Sequence, residues 1–253
     1  MKKITAVYFS PCGTTKTAVC SVAGGLGEVA KEADLIPLSA ASTEISLGTE
    51  DVLVCGVPSF GGRVPLTALE RIKNLHGNGT AAVAVVTYGN RAFDDTFAEL
   101  QDALEAQGFV AVAGVAAVTQ HSIVNQFGAG RPNAEDQTQL QAFGKEIAEK
   151  LTGTPKRAEL PGNRPYLERH GGGLVPMVSD ACKGCGKCVT HCPVGAIPKD
   201  NPKTTDKDLC VSCMGCISVC TQKARSLPEA AIGMLTEKLS KVCADRKENQ
   251  LFF

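Results

Sequence analysis

Apolar residues in the first 150 positions fall into short unbroken runs, separated by stretches with helical spacing. Lys3–Phe9, Asp51–Val57, Ala81–Thr87 and Phe109–Thr119 are rich in β-forming residues. They are continuous rather than alternating, as expected of strands covered on both faces. Asp34–Leu38 gives a weaker strand signal. Between these runs, Lys16–Glu28 places Val19, Val22, Ala23 and Leu26 at near-helical intervals, and Pro65–Leu75 has proline in its first turn. Asp94–Gln107 and Glu135–Leu151 complete the helical set. Five strands with intervening helices predict an α/β fold, a doubly wound parallel sheet with helices on both faces.

The pattern then changes. Thr152–Met177 has four prolines and the run Gly171-Gly172-Gly173, and reads as a linker laid over the surface. A cysteine-rich segment follows, and Pro228–Asn249 predicts a helix packing that segment against its neighbour. The expected division is 1–151 for the sheet domain, 152–176 for the linker, 177–228 for the cysteine domain and 229–253 for a C-terminal helix.

Eight of the twelve cysteines form two copies of one spacing. The first is Cys182-x2-Cys185-x2-Cys188-x3-Cys192, followed by Pro193; the second is Cys210-x2-Cys213-x2-Cys216-x3-Cys220, followed by Thr221. Ala181–Ile197 aligns with Leu209–Arg225 without a gap, so the runs are an internal repeat. Three thiolates within seven residues let a short loop wrap three corners of a cubane cluster, and by this signature the fourth cysteine ligates the other cluster. The ligand sets are then Cys182, Cys185, Cys188 and Cys220 for one 4Fe-4S cluster, and Cys210, Cys213, Cys216 and Cys192 for the other. A structural zinc site more often uses two separated C-x2-C pairs. The opening run Ile4–Phe9 is too short for a secretory leader, so disulfides are not expected and a reducing cytoplasm is. A unit this small cannot bury a core alone, so two copies around metal make physical sense.

Three strand-end loops carry the remaining chemistry. Ser10-Pro-Cys-Gly-Thr-Thr15 supplies hydroxyls and Gly13 immediately before a helix. It suits an anion site at a helix N-terminus, and equally a capped helix start. Pro58, Ser59, Phe60, Gly61 and Gly62 pair an aromatic with glycines that permit close approach of a flat ligand. Tyr88, Gly89, Asn90, Arg91, Phe93 and Asp95 again place aromatic and polar groups at a strand end. A phosphate loop beside two aromatic-glycine loops points to flavin mononucleotide (FMN), with Arg91 favouring a negatively charged ring and Asp94 and Asp95 opposing it. His121-Ser122 follows the last strand as a further candidate contact, whereas His76, His170 and His191 read as solvated surface.

Residues 1–151 resemble a short-chain flavodoxin, whose phosphate loop has the pattern Thr/Ser-x-Thr-Gly-x-Thr. Ser10, Gly13 and Thr15 match it, while Cys12 replaces the middle threonine. A thiol donates weakly, which shifts phosphate binding toward backbone N–H groups, Ser10, Thr14 and Thr15 and predicts looser FMN binding. A phosphatase-type Cys-x5-Arg loop is excluded, because Ala18 stands at the arginine position. With the cysteine repeat, the whole chain is similar to the flavodoxin–ferredoxin fusion proteins of anaerobic bacteria. That resemblance implies a flavodoxin-like sheet of order 2-1-3-4-5, a small α+β bacterial-type ferredoxin domain with two 4Fe-4S clusters, and noncovalent FMN.

Formal net charge is zero, so neither a nucleic-acid footprint nor a polybasic membrane patch is expected. No apolar run approaches the roughly eighteen residues of a membrane span. Clusters and a flavin on one chain predict single-electron transfer with redox protein partners, a ferredoxin or a low-potential oxidoreductase. The rival reading is an FMN-dependent oxidoreductase that reduces a small organic substrate with electrons delivered through the clusters.

Overall fold

The computed structural model describes residues 2–151, 154, 156–170 and 172–253. The first part runs β1 (Lys3–Tyr8), α1 (Thr14–Leu26), β2 (Val29–Asp34), β3 (Ile45–Ser46), β4 (Asp51–Pro58), α2 (Leu66–Ile72), β5 (Leu75–His76), β6 (Thr80–Tyr88), α3 (Thr96–Glu105), β7 (Phe109–Val118) and α4 (Ala134–Lys150). Then come β8 (Met177–Val178), α5 (Lys187–Thr190), α6 (Gly215–Ser218), β9 (Arg225–Ser226), α7 (Glu229–Cys243) and β10 (Gln250–Phe252).

The main sheet has the order β10-β7-β6-β4-β1-β2. All its pairs are parallel except β10 with β7. Without β10 this is the flavodoxin-like 2-1-3-4-5 order, whose ligands sit beyond the carboxyl ends of the strands. The continuous apolar runs are explained by burial on both sides. Ile4, Ala6, Val52, Val54 and Val83 face Val19 and Val22 of α1 and Leu140 and Ile147 of α4. Val7, Leu53, Cys55, Ala84 and Val86 face Ala68 and Ile72 of α2 and Phe97, Leu100 and Leu104 of α3.

Two elements differ from the sequence expectation. The second strand is Val29–Asp34 rather than Asp34–Leu38. It is an edge strand that buries little, so its sequence VAKEAD has no apolar run to betray it. The C-terminal helix stops at Cys243, and Gln250–Phe252 returns to the sheet as a sixth, antiparallel strand. Asn249 fixes this return: its Oδ1 accepts from Val118 N at 2.8 Å, and its Nδ2 donates to Gln139 Oε1 at 2.8 Å.

The proline-rich stretch forms no helix or strand among its described residues; Thr152, Gly153, Pro155 and Gly171 lie outside them. It is nevertheless bonded to the sheet domain, with Ala158 and Leu160 buried in the core. Ala158 N donates to Ala111 O at 2.8 Å, and Arg164 pairs with Asp102 at 2.6 Å. Helix α7 lies against the loop after β7, where Leu239 and Cys243 pack on Val124 and Phe127.

Candidate functional site

The two cysteine runs repeat in backbone as well as in sequence. In the first copy Gly184, Gly186 and Gly195 are left-handed, at φ +67°, +74° and +68°. In the second the equivalent residues are Ser212, Met214 and Lys223, at φ +53°, +61° and +49°. Left-handed residues interrupting right-handed ones turn successive N–H groups toward a common concavity, the arrangement found around phosphates and iron–sulfur clusters. Cys188 and Cys216 ride on the short helices α5 and α6. The fourth cysteine of each run accepts a backbone donor: Ala196 N to Cys192 Sγ at 3.2 Å, and Ala224 N to Cys220 Sγ at 3.3 Å.

One cavity is lined by Cys182, Cys185, Cys188 and Cys220, the first expected ligand set. In the second set, Cys192, Cys210 and Cys216 share an apolar cluster with Ile197. Burial pushes the Cys213 thiol up to about 12, with the nearby sulfurs of Cys12, Cys216 and Cys192 adding to the effect. Such thiols are poor ligands until a cation deprotonates them, which bound iron does outright. Each sulfur around a cubane meets a different iron, so the four need not converge on one point. Among the described residues no three His, Cys, Asp or Glu groups do. The donor chemistry and the backbone concavity therefore fit a cluster.

The first strand-end loop is docked on both cysteine runs. Cys12 Sγ donates to the Cys213 carbonyl at 3.5 Å, Ser218 Oγ donates to Pro11 O at 3.1 Å, and His191 Nε2 lies 2.7 Å from the same oxygen. Burial pushes Cys12 up to about 11, so it stays a neutral thiol, turned to the cysteine loop. Ser10 is also committed, its Oγ accepting from Lys16 N at 2.9 Å. Helix α1 starts on left-handed Gly13, which supplies no side-chain cap, and has no acid in its first turn; Ser10 takes the Lys16 N–H, and the positive end of the helix favours an anion beside Thr14 and Thr15. A second tether is Arg71, a buried residue of α2, whose guanidinium donates to Pro193 O at 2.6 Å and Ile36 O at 2.9 Å.

Two adjoining cavities meet at Ser59, Phe60, His121 and Ser122. One extends to Cys12, Thr14, Thr15, Pro58, Thr87, Tyr88, Gly89 and Cys213. The other, about 510 Å³, reaches Gly61, Arg169, His170, Val211, Ser212 and Leu235. A narrow polar channel at a helix N-terminus opening into a wider apolar-walled space suits the phosphate and the ring of FMN.

The third loop divides: Tyr88 and Gly89 line the narrower cavity, and the rest lie away from it. Asn90, Arg91, Phe93 and Asp95 line neither cavity. Asn90 Nδ2 donates to Cys243 O at 2.8 Å and Asp245 O at 2.9 Å. Arg91 pairs with Asp94, and its carbonyl accepts from Lys247. Phe93 packs edge-on against Tyr88, Phe97 and Phe252. Asp95 accepts from Asn163 N at 2.7 Å and Leu167 N at 2.6 Å. These side chains hold the C-terminal return and the proline-rich stretch instead. Gly62 likewise forms a turn whose carbonyl accepts from Asp95 N. His170, expected as solvated surface, is exposed at the rim of the wider cavity, whereas His191, expected likewise, is half-buried in the loop contact.

Several lining residues carry no motif. Thr87 lines the narrower cavity, and Arg169, Leu174 and Leu235 line the wider one, each brought to its wall by the fold. Thr15 and Thr87 hydroxyls are 2.8 Å apart. Arg169 is held by Glu99, which also takes Arg63 at 2.6 Å and Val64 N at 2.8 Å.

The family described as 4Fe-4S binding domain matches residues 175–197, which contain the first cysteine run. A formate dehydrogenase iron-sulfur subunit from Haemophilus influenzae is 31% identical over 97 residues, or 38% of this chain. The match spans only 30% of that subunit's length. A flavodoxin from the domain Archaea aligns with 60% of this chain and 100% of its own, at 16% identity and TM-score 0.38. The two-electron reduced flavodoxin of Megasphaera elsdenii aligns with 58% of this chain and 98% of its own, at 17% identity and TM-score 0.38. The chain thus joins a sheet of flavodoxin-like order, read from its own topology, to a segment of 4Fe-4S binding type.

Proposed function

We propose that this chain is an electron-transfer protein that binds FMN and two 4Fe-4S clusters and exchanges single electrons with a low-potential redox partner. The observation that carries the reading is a cavity with walls from both halves of the chain: Phe60 and His121 from the sheet loops, Val211 and Ser212 from the second cysteine run. When bound, the clusters pass one electron at a time and the flavin holds one or two.

In this reading Cys210, Cys213, Cys216 and Cys192 hold the cluster beside the flavin, and Cys182, Cys185, Cys188 and Cys220 hold the outer one. Exposed Cys185 marks the side a partner meets, a ferredoxin or a low-potential oxidoreductase in a reducing cytoplasm. Thr14, Thr15 and the open end of α1 take the phosphate, and Ser59, Phe60, Gly61 and His121 border the ring. The domain limits proposed are 1–151, 152–176, 177–228 and 229–253.

No helix among the described residues is long and apolar enough to cross a membrane. The test is an anaerobic preparation with iron, sulfide and flavin counted: eight irons, eight sulfides and one FMN are expected for two cubanes and one flavin. Zinc in place of iron, or protein that takes up no flavin, overturns the proposal. A second reading, reduction of a small organic substrate, draws on the cavity volume of about 510 Å³, which lies within the range of small-molecule sites. Rapid exchange with protein carriers and none with small substrates separates the two.

A further inference from the structure

Among the described residues, one buried side-chain oxygen or nitrogen has no hydrogen-bond partner: Ser212 Oγ. Native proteins rarely leave a hydroxyl shut from water and unpaired, because its desolvation is then uncompensated. The backbone sharpens the point. Ser212 sits at φ +53°, where glycine is at ease and a side chain is strained. Its counterpart in the first copy is Gly184, also left-handed, and no heavy atom lies within 4 Å of the place a Cβ would occupy there. The first copy therefore runs with glycine at this position although sterics do not bar a side chain there. A hydroxyl stands only in the copy that faces the cavity shared with Phe60, Gly61 and His121.

We propose that Ser212 Oγ donates a hydrogen bond to a ring acceptor of the flavin, so that the loop holding Cys210 and Cys213 also recognises the flavin. The inference rests on the FMN reading above. The competing partner is sulfur of the adjacent cluster, and the two make opposite predictions.

Ser212→Gly restores the residue of the first copy and relieves the left-handed strain, so the fold and the iron count are expected to hold. FMN is titrated into cluster-loaded, flavin-stripped protein under anaerobic conditions, and the flavin midpoint and the cluster EPR signals are recorded. The expected result is FMN affinity weakened about five- to tenfold, the loss of one hydrogen bond, with a shifted flavin midpoint and unchanged cluster signals. Altered cluster signals with unchanged FMN affinity and midpoint assign the hydroxyl to the cluster and overturn the proposal, as does no change in any readout. Failure of unsubstituted protein to bind FMN is seen before any variant is made; it sinks the flavin reading itself, and this inference with it.

Discussion

His121 accepts two backbone N–H groups on Nδ1, from Ile123 at 3.2 Å and Val124 at 3.1 Å. Its proton therefore belongs on Nε2, and a second proton on Nδ1 would break both bonds. Burial, then the nearby Arg91, holds the ring below the usual histidine range. The unfolded chain takes up that proton near pH 6.5 while the folded chain resists it, so stability falls as pH drops below 6.5. We expect the loss to set in as pH falls through about 6.5 and to stop growing once the folded ring is protonated as well. His121→Asn keeps an acceptor without a titrating group and should flatten that part of the acid limb in urea unfolding. An identical limb in both proteins would remove His121 from the account. The Cys12 thiol is turned to Cys213 O rather than to an anion, and its swap for threonine is matched by contacts some 200 positions downstream. No inspection of the loop alone reveals that partner.

At the scale of elements, the cysteine repeat offers a direct comparison. Lys223 is exposed and left-handed at φ +49°, where the first copy has Gly195. Lys223→Gly should raise stability by about 0.5–1 kcal/mol in thermal unfolding of the loaded protein. The closing strand gives the opposite case. Asn249→Ala removes the acceptor of Val118 N and the donor to Gln139. Leaving that buried N–H unpaired should cost about 2–3 kcal/mol in denaturant unfolding.

These elements also mark what the sequence makes legible. The runs through β1, β4, β6 and β7 stand out because both their faces are buried, and the cysteine spacing stands out because ligand geometry leaves little freedom. Strand β2 is hidden because an edge strand needs no apolar face. Strand β10 is hidden because three residues carry no period. The protein partners of the third loop are hidden for a related reason: Asn90 and Asp95 bond Cys243, Asp245, Asn163 and Leu167, which are distant in sequence.

At the scale of the whole molecule, the cysteine segment is an insertion between two sheet-bound stretches. Its own apolar cluster is small, built on Cys192, Ala196 and Ile197, so metal supplies most of what holds it together. Removal of iron with a chelator should make residues 177–228 sensitive to protease while the sheet stays resistant. Because β10 is paired with β7 and Asn249 grips both β7 and α4, the two fragments from such a cut should elute together under native conditions and separate only in denaturant. Separation without denaturant would mean that the return strand contributes little.

That anchoring at both ends has a consequence for damage. A relay assembled from separate proteins must find its counterpart again after oxygen strips the iron from one of them. Here the stripped stretch cannot drift off, because Asn249 and the edge pairing keep its far end moored beside its origin. Re-docking of the segment after repair becomes a unimolecular event, independent of how dilute the protein is.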